Sequence, residues 1–188
     1  MKQQYRLIAG FLLTAFIGTV LGAAVQIGSW ASDGWYGGDP VAAFGLVSYG
    51  LFFWITICTL RAYCSRCGLH ASLLVLCLLI PAIGSYGLSA WIFGNPLNTS
   101  VVQFGMIMLL PSAAAAWILR ATRRYALSRF AVRGIGTLAL LFDLVTRIRC
   151  NPLAIMTAAA LYVWFLYTTR DLNAEQRRFA AAAETCMS

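Results

Sequence analysis

Four long stretches without an ionisable side chain constrain this chain more than any other feature. Residues 7–30, 42–60, 71–94 and 101–119 contain no Asp, Glu, Lys, Arg or His. Each is close to or above the roughly 20 residues a helix needs to cross the hydrocarbon of a bilayer. The whole chain has 188 residues, 61% of them hydrophobic and 11% charged. An ordinary soluble domain has about a quarter of its residues charged, and a soluble fold of this size has too little interior to hide so much apolar surface. The expected fold class is therefore an all-α membrane protein: a four-helix transmembrane bundle over 1–119, then a basic region over 120–188 of cytoplasmic or interfacial helices. The first stretch is too long for the apolar core of a signal peptide and is read as a retained helix. Pro81 and Pro111 fall inside the third and fourth stretches, where neighbouring helices can satisfy the freed carbonyls.

The connections set the expected orientation. Residues 31–41 carry Asp33 and Asp39 and no base, and residues 95–100 carry no charge. Lys2, Arg6, Arg61, Arg66 and the arginines from Arg120 onward flank the other side. Basic residues collect on cytoplasmic segments, so a multi-pass protein of a bacterial-type inner membrane is expected, with its N-terminus in the cytoplasm. The same rule accounts for the net charge of +8 without a nucleic-acid surface, and no direct nucleic-acid contact is expected.

The C-terminal third is ambiguous. Arg120, Arg123, Arg124, Arg129 and Arg133 alternate with Tyr125, Leu127, Phe130 and Val132, the pattern of a helix at the headgroups. Residues 135–146 are apolar but too short to cross. Asp143 and Arg147 stand four apart, as in a helical ion pair. Pro152 suits the first turn of another helix. Residues 153–168 suit a marginal fifth span, but a fifth crossing would put Arg170, Arg177 and Arg178 on the wrong side. Four spans are preferred on that ground.

Gly10, Thr14, Gly18, Gly22 and Gln26 recur at every fourth position of the first stretch, and 18–22 reads GxxxG. Small residues at this spacing let a second helix approach closely. The partner is a helix of the same chain or one of a second copy, and a homo-oligomer is expected because a thin bundle leaves much surface to cover.

Three groups of residues invite a chemical reading. Cys64-Ser-Arg-Cys67, with Cys58 before it and His70 after it, has ligand types that suit zinc or a dithiol. It lacks a second paired cluster, and cytoplasmic thiols are kept reduced. Free thiols in a short turn are therefore expected, with no metal and no other cofactor. Asp33, Trp35, Tyr36 and Asp39 form either a signal-receiving loop or an aromatic belt at the headgroups. Arg120, Arg123, Arg124, Arg129, Arg133, Arg147 and Arg149 form either a stop-transfer run or a docking surface for a cytosolic partner, where arginine supplies paired hydrogen bonds. The chain holds one histidine, no phosphate loop and no nucleophile elbow, so no enzyme is expected. The expected function is a sensor or anchor subunit that couples the membrane to a cytosolic protein, as stress signalling, secretion and antiviral defence all require. The alternatives are a small channel or transporter, and a thiol-redox or zinc protein.

Overall fold

A computed structural model of the chain describes residues 2–32, 40–65, 67–122, 126–146, 148 and 151–185, with side-chain surroundings over 8–28, 40, 43–65, 67–122, 130–146, 148 and 151–169. The described residues form seven helices: α1 (Lys2–Ser32), α2 (Pro40–Ser48), α3 (Leu51–Tyr63), α4 (Gly68–Phe93), α5 (Thr99–Thr122), α6 (Ala126–Thr146) and α7 (Pro152–Thr185). Local chemistry ends and starts them. α4 stops at Gly94, whose φ of 65° only glycine takes easily. The Asn95 N–H returns to the Ala90 carbonyl at 2.9 Å, a Schellman closure, and Pro96 bars continuation. α7 starts where Asn151 Oδ1 accepts the N–H groups of Leu153 at 3.0 Å and Ala154 at 3.2 Å, with Pro152 in the first turn as expected. Pro81 and Pro111 lie within unbroken helices.

Among the described residues four helical segments are long and apolar enough to cross a membrane: Ile8–Gly28, Gly68–Phe93, Thr99–Thr122 and Pro152–Thr169. The molecule is an all-α membrane bundle, but these are not the same four stretches that the pattern of charges singles out. The stretch 42–60 is not one helix. It is divided into α2 and α3 at Tyr49 and Gly50, and α3 is too short to cross alone. Residues 152–169, read as marginal, form a candidate span instead. Residues 135–146 are the second half of a 21-residue helix, about 31 Å long at 1.5 Å per residue.

Contacts relate the directions of the longer helices. A Cβ on Gly18 would strike the Leu78 carbonyl, and one on Gly22 would strike the Ala82 carbonyl and Ser85 Oγ, so α1 and α4 run parallel. α5 runs antiparallel to α4: Gly68 sits on the Trp117 indole, and Ser72 Oγ donates to the Ala113 carbonyl at 2.7 Å. α7 runs antiparallel to α6, with Gly136 against the Phe165 ring and the Thr137 and Tyr162 hydroxyls 2.8 Å apart. α6 lies along α3, because Asp143, near its C-terminal end, meets Phe52 near the start of α3. One end of the bundle therefore holds the start of α1, the α3–α4 turn, the end of α5 and the start of α6. The other end holds the α4–α5 connection and the turn from α6 to α7.

Burial is inverted relative to a soluble protein. Thr14, Gln26, Ser48, Thr56, Ser85, Ser89 and Asp143 are buried, while Trp91, Leu110, Phe130, Leu138 and Met156 are more than half exposed. Lipid, not water, is the solvent that such an exterior suits. One apolar core joins Ala43, Val47, Phe52, Ala139, Leu140, Ala154, Ala158 and Phe165 from α2, α3, α6 and α7 with Ile148, which lies between α6 and α7. A smaller one joins Ala62, Ala71, Val75 and Ala116 from α3, α4 and α5.

Candidate functional site at the broken helix

The break between α2 and α3 gathers the most unusual chemistry among the described residues. Its local cause is legible in Ser48-Tyr49-Gly50. The Ser48 hydroxyl turns back onto the Gly45 carbonyl at 3.2 Å, competing with the helical ladder as buried serines do. The Tyr49 N–H goes to the Gly45 carbonyl at 2.9 Å and the Gly50 N–H to the Val47 carbonyl at 3.0 Å. Gly50 then extends, at φ −73° and ψ 151°, and starts α3 with no side chain of its own to cap it. Tyr49 points the other way, its hydroxyl accepting from Asn98 Nδ2 at 3.1 Å.

The missing cap comes from α6. Asp143 Oδ2 accepts the Phe52 N–H at 2.7 Å, across 91 residues of sequence. Phe52 is the second residue of α3, the position whose N–H an N-cap side chain normally takes. The carboxylate also lies at the positive end of the α3 dipole. Asp143 is 2% exposed, and its Oδ1 is buried with no hydrogen-bond partner. Glycine is required at position 50: a Cβ there would sit 2.5 Å from Asp143 Oδ2 and 2.9 Å from the Val47 carbonyl oxygen. The Gly50 backbone is thus packed directly against the Asp143 carboxyl and the Val47 carbonyl at the junction of the two half-helices. Phe52 also packs against α7, its ring 6.0 Å from those of both Tyr162 and Phe165.

The electrostatics follow from this geometry. A broken helix brings the C-terminal end of α2, negative, next to the N-terminal end of α3, positive. The two half-dipoles largely cancel across the break. A carboxylate taken out of water is costly unless it is paired, and one N–H bond does not satisfy both of its oxygens.

The residues singled out from sequence fall in several places. Thr14, Gly18, Gly22 and Gln26 are buried along α1, and the two glycines meet α4 of the same chain. Gly10 has open space beside it. Cys64 and Cys67 are exposed and Cys58 is half-buried, while His70 stacks edge-on against Phe11 at 5.2 Å. Among the described residues no three His, Cys, Asp or Glu side chains come together, so Cys58, Cys64, Cys67 and His70 are not gathered into one site. Asp33, Trp35, Tyr36 and Asp39 lie outside the described residues, as do Arg123, Arg124, Arg147 and Arg149, and so does the side chain of Arg129. The expected pair of Asp143 with Arg147 is likewise outside them; the described partner of Asp143 is the α3 backbone. Arg120 Nη1 and Arg133 Nε are buried.

Asp143, Gly50, Ser48 and the Phe52 N–H were not recognised as a site from sequence. Two signals were present: a Ser-Tyr-Gly interruption in an apolar stretch, and a lone acid in the otherwise apolar 135–146. No protein family, curated protein or solved structure matches the chain.

Proposed function

We propose that this protein is a non-enzymatic, multi-pass carrier of a bacterial-type inner membrane, working at the α2–α3 break beside Asp143. The observation that carries the proposal is the buried carboxylate of α6 seated on the amide end of a half-helix. Ionisable groups among transmembrane helices are expensive and mark transport pathways. Discontinuous helices recur where carriers bind their substrates, because the exposed dipole ends and unwound carbonyls supply polar contacts without charged side chains. This reading takes up the transporter alternative.

The proposal includes an orientation. The helix directions support six passes, counting α2–α3 as one and α6 as another. Both termini then lie at the end that carries Arg61, Arg120 and the start of α6, and the basic-residue rule makes that end cytoplasmic. Arg170, Arg177 and Arg178 follow α7 back to the same side, so the charge objection to a crossing by residues 152–169 disappears.

The test is water access. Ser48→Cys is made in a chain whose only other cysteine is Cys64, reconstituted in vesicles and treated from each side with a small charged methanethiosulfonate reagent. The expected result is that Ser48→Cys reacts from both sides, while Cys64 reacts from the cytoplasmic side alone. A cysteine at 48 that stays unreactive from both sides while Cys64 is modified refutes the carrier reading.

A further inference from the structure

We infer that the seam between the two halves of the broken helix and the α6–α7 pair parts and closes, with Asp143 as its latch. The inference rests on the carrier reading of the same break and names the contact that yields. The bundle has interfaces of two kinds. α1 and α4 interlock through backbone, since a Cβ on Gly18 or Gly22 would strike a carbonyl of α4. α2 is held to α1 in the same way, with Gly45 against the Gly28 backbone. α5 is held to α4 by the Trp117 indole on Gly68 and by the Ser72 hydroxyl, which donates to the Ala113 carbonyl at 2.7 Å. The α6–α7 pair is likewise tied within itself, by Gly136 on the Phe165 ring and by the Thr137 and Tyr162 hydroxyls. It meets the rest of the bundle through α2 and α3. The core of that seam holds four alanines, Ala43, Ala139, Ala154 and Ala158. Alanine side chains interdigitate little, so parting them forfeits little dispersion.

The latch carries opposed contributions. In the closed arrangement Asp143 Oδ2 accepts the Phe52 N–H at 2.7 Å, and a bond to a charged acceptor is stronger than a neutral one. In the same arrangement Asp143 Oδ1 has no hydrogen-bond partner, in a residue that is 2% exposed. A buried, unpaired oxygen of this kind is costly and stores strain. Parting the seam admits water to both carboxylate oxygens and to the freed amide at the start of α3, which water caps as it caps other helix ends. What closure gains at Oδ2 it gives back in part at Oδ1. A packed interface with two arrangements close in free energy is a switch, and here the element that switches borders the break.

The experiment measures distances between pairs of nitroxide labels by double electron–electron resonance. It uses the full-length protein in lipid vesicles, with all six native cysteines replaced. One pair crosses the seam, Leu138→Cys on α6 with Ile107→Cys on α5. The control pair, Val20→Cys on α1 with Ile107→Cys, lies on one side of it, and all three positions are exposed. The seam pair is expected to give two distances and the control pair one. Asp143→Asn keeps an acceptor for the Phe52 N–H and removes the charge that closure buries, so it is expected to lower the fraction at the longer distance by about tenfold. A single distance across the seam with Asp143 in place, no broader than that of the control, overturns the inference without recourse to the Asn variant. So does an unchanged pair of distances in folded Asp143→Asn. Two distances across the seam with no reagent access at position 48 retire the carrier and leave the moving seam. Access at position 48 with a single distance does the reverse.

Discussion

Substituting Gly18 by alanine adds one methyl group, yet it tests how the first helix is held. The ideal Cβ would fall on the Leu78 carbonyl oxygen, and that of Gly22 on the Ala82 carbonyl oxygen and Ser85 Oγ. A comfortable carbon–oxygen contact is about 3.3–3.6 Å, so α1 and α4 must move apart to admit either methyl. The obstacle is backbone inside an unbroken helix and has no rotamer to change. Inserting a methyl into a packed interface costs about 1–3 kcal/mol, and alanine returns up to about 1 kcal/mol of helix propensity. A net loss of about 1–2 kcal/mol is expected for each single variant. The two positions are one turn apart on one interface, so the double variant should lose less than the sum. Gly10, Gly84 and Gly87 have nothing within 4 Å of the added atom; alanine there should leave stability unchanged or raise it. Reversible unfolding in mixed micelles titrated with dodecyl sulfate reads these differences, with the mass of the assembly followed in parallel. Wild-type midpoints for Gly18→Ala and Gly22→Ala, with a change only in assembly mass, would show that GxxxG joins two copies instead of two helices of one chain.

Two further substitutions test local stop and start signals. Asn151→Ala removes the acceptor of two amide groups at the start of α7 and should cost about 0.5–2 kcal/mol in the same unfolding assay; no change would mean that water caps this helix equally well. Gly94→Ala places a side chain at φ 65° and should cost about 1–2 kcal/mol, and an unchanged midpoint would indicate that the α4 terminus relaxes out of the left-handed conformation.

Much of the architecture is readable along the chain because lipid solvation acts residue by residue. Three of the four candidate spans, those in α1, α4 and α5, follow directly from runs without charge. Local punctuation is also readable. Gly94 before Pro96 ends α4 as glycine followed by proline commonly does, and Asn151-Pro152 opens α7. The GxxxG spacing announces a close helix contact, since it depends only on the 3.6-residue period and on side-chain size. What the spacing leaves open is the partner, because α4 of the same chain and α1 of another copy offer similar surfaces to a glycine groove.

The misreadings share one cause: a contact distant in sequence changed what a local pattern meant. Residues 42–60 look like a single span, since nothing in their hydropathy marks Gly50 as a break. A helix can end in an apolar environment only if its free amides find acceptors, and the acceptor for Phe52 lies 91 residues away on α6. The spacing of Asp143 and Arg147 gives no hint that the carboxyl of Asp143 reaches the start of α3, which only the packing of α6 on α3 reveals. Residues 152–169 look wrongly oriented for a span until α6 is seen running antiparallel to α7, which brings the tail back to the basic end of the bundle.

The sequence by itself determined the solvent, the helical class, the places where α4 and α7 stop and start, and the existence of a tightly packed face on α1. These are set by transfer of side chains from water to lipid and by backbone chemistry within a few residues. Only the tertiary structure decided which helix fills the glycine groove, that the second apolar stretch is broken, and that one carboxylate crosses from α6 to seal the break. Those outcomes depend on satisfying buried polar groups between distant segments, and no local window of sequence contains both partners.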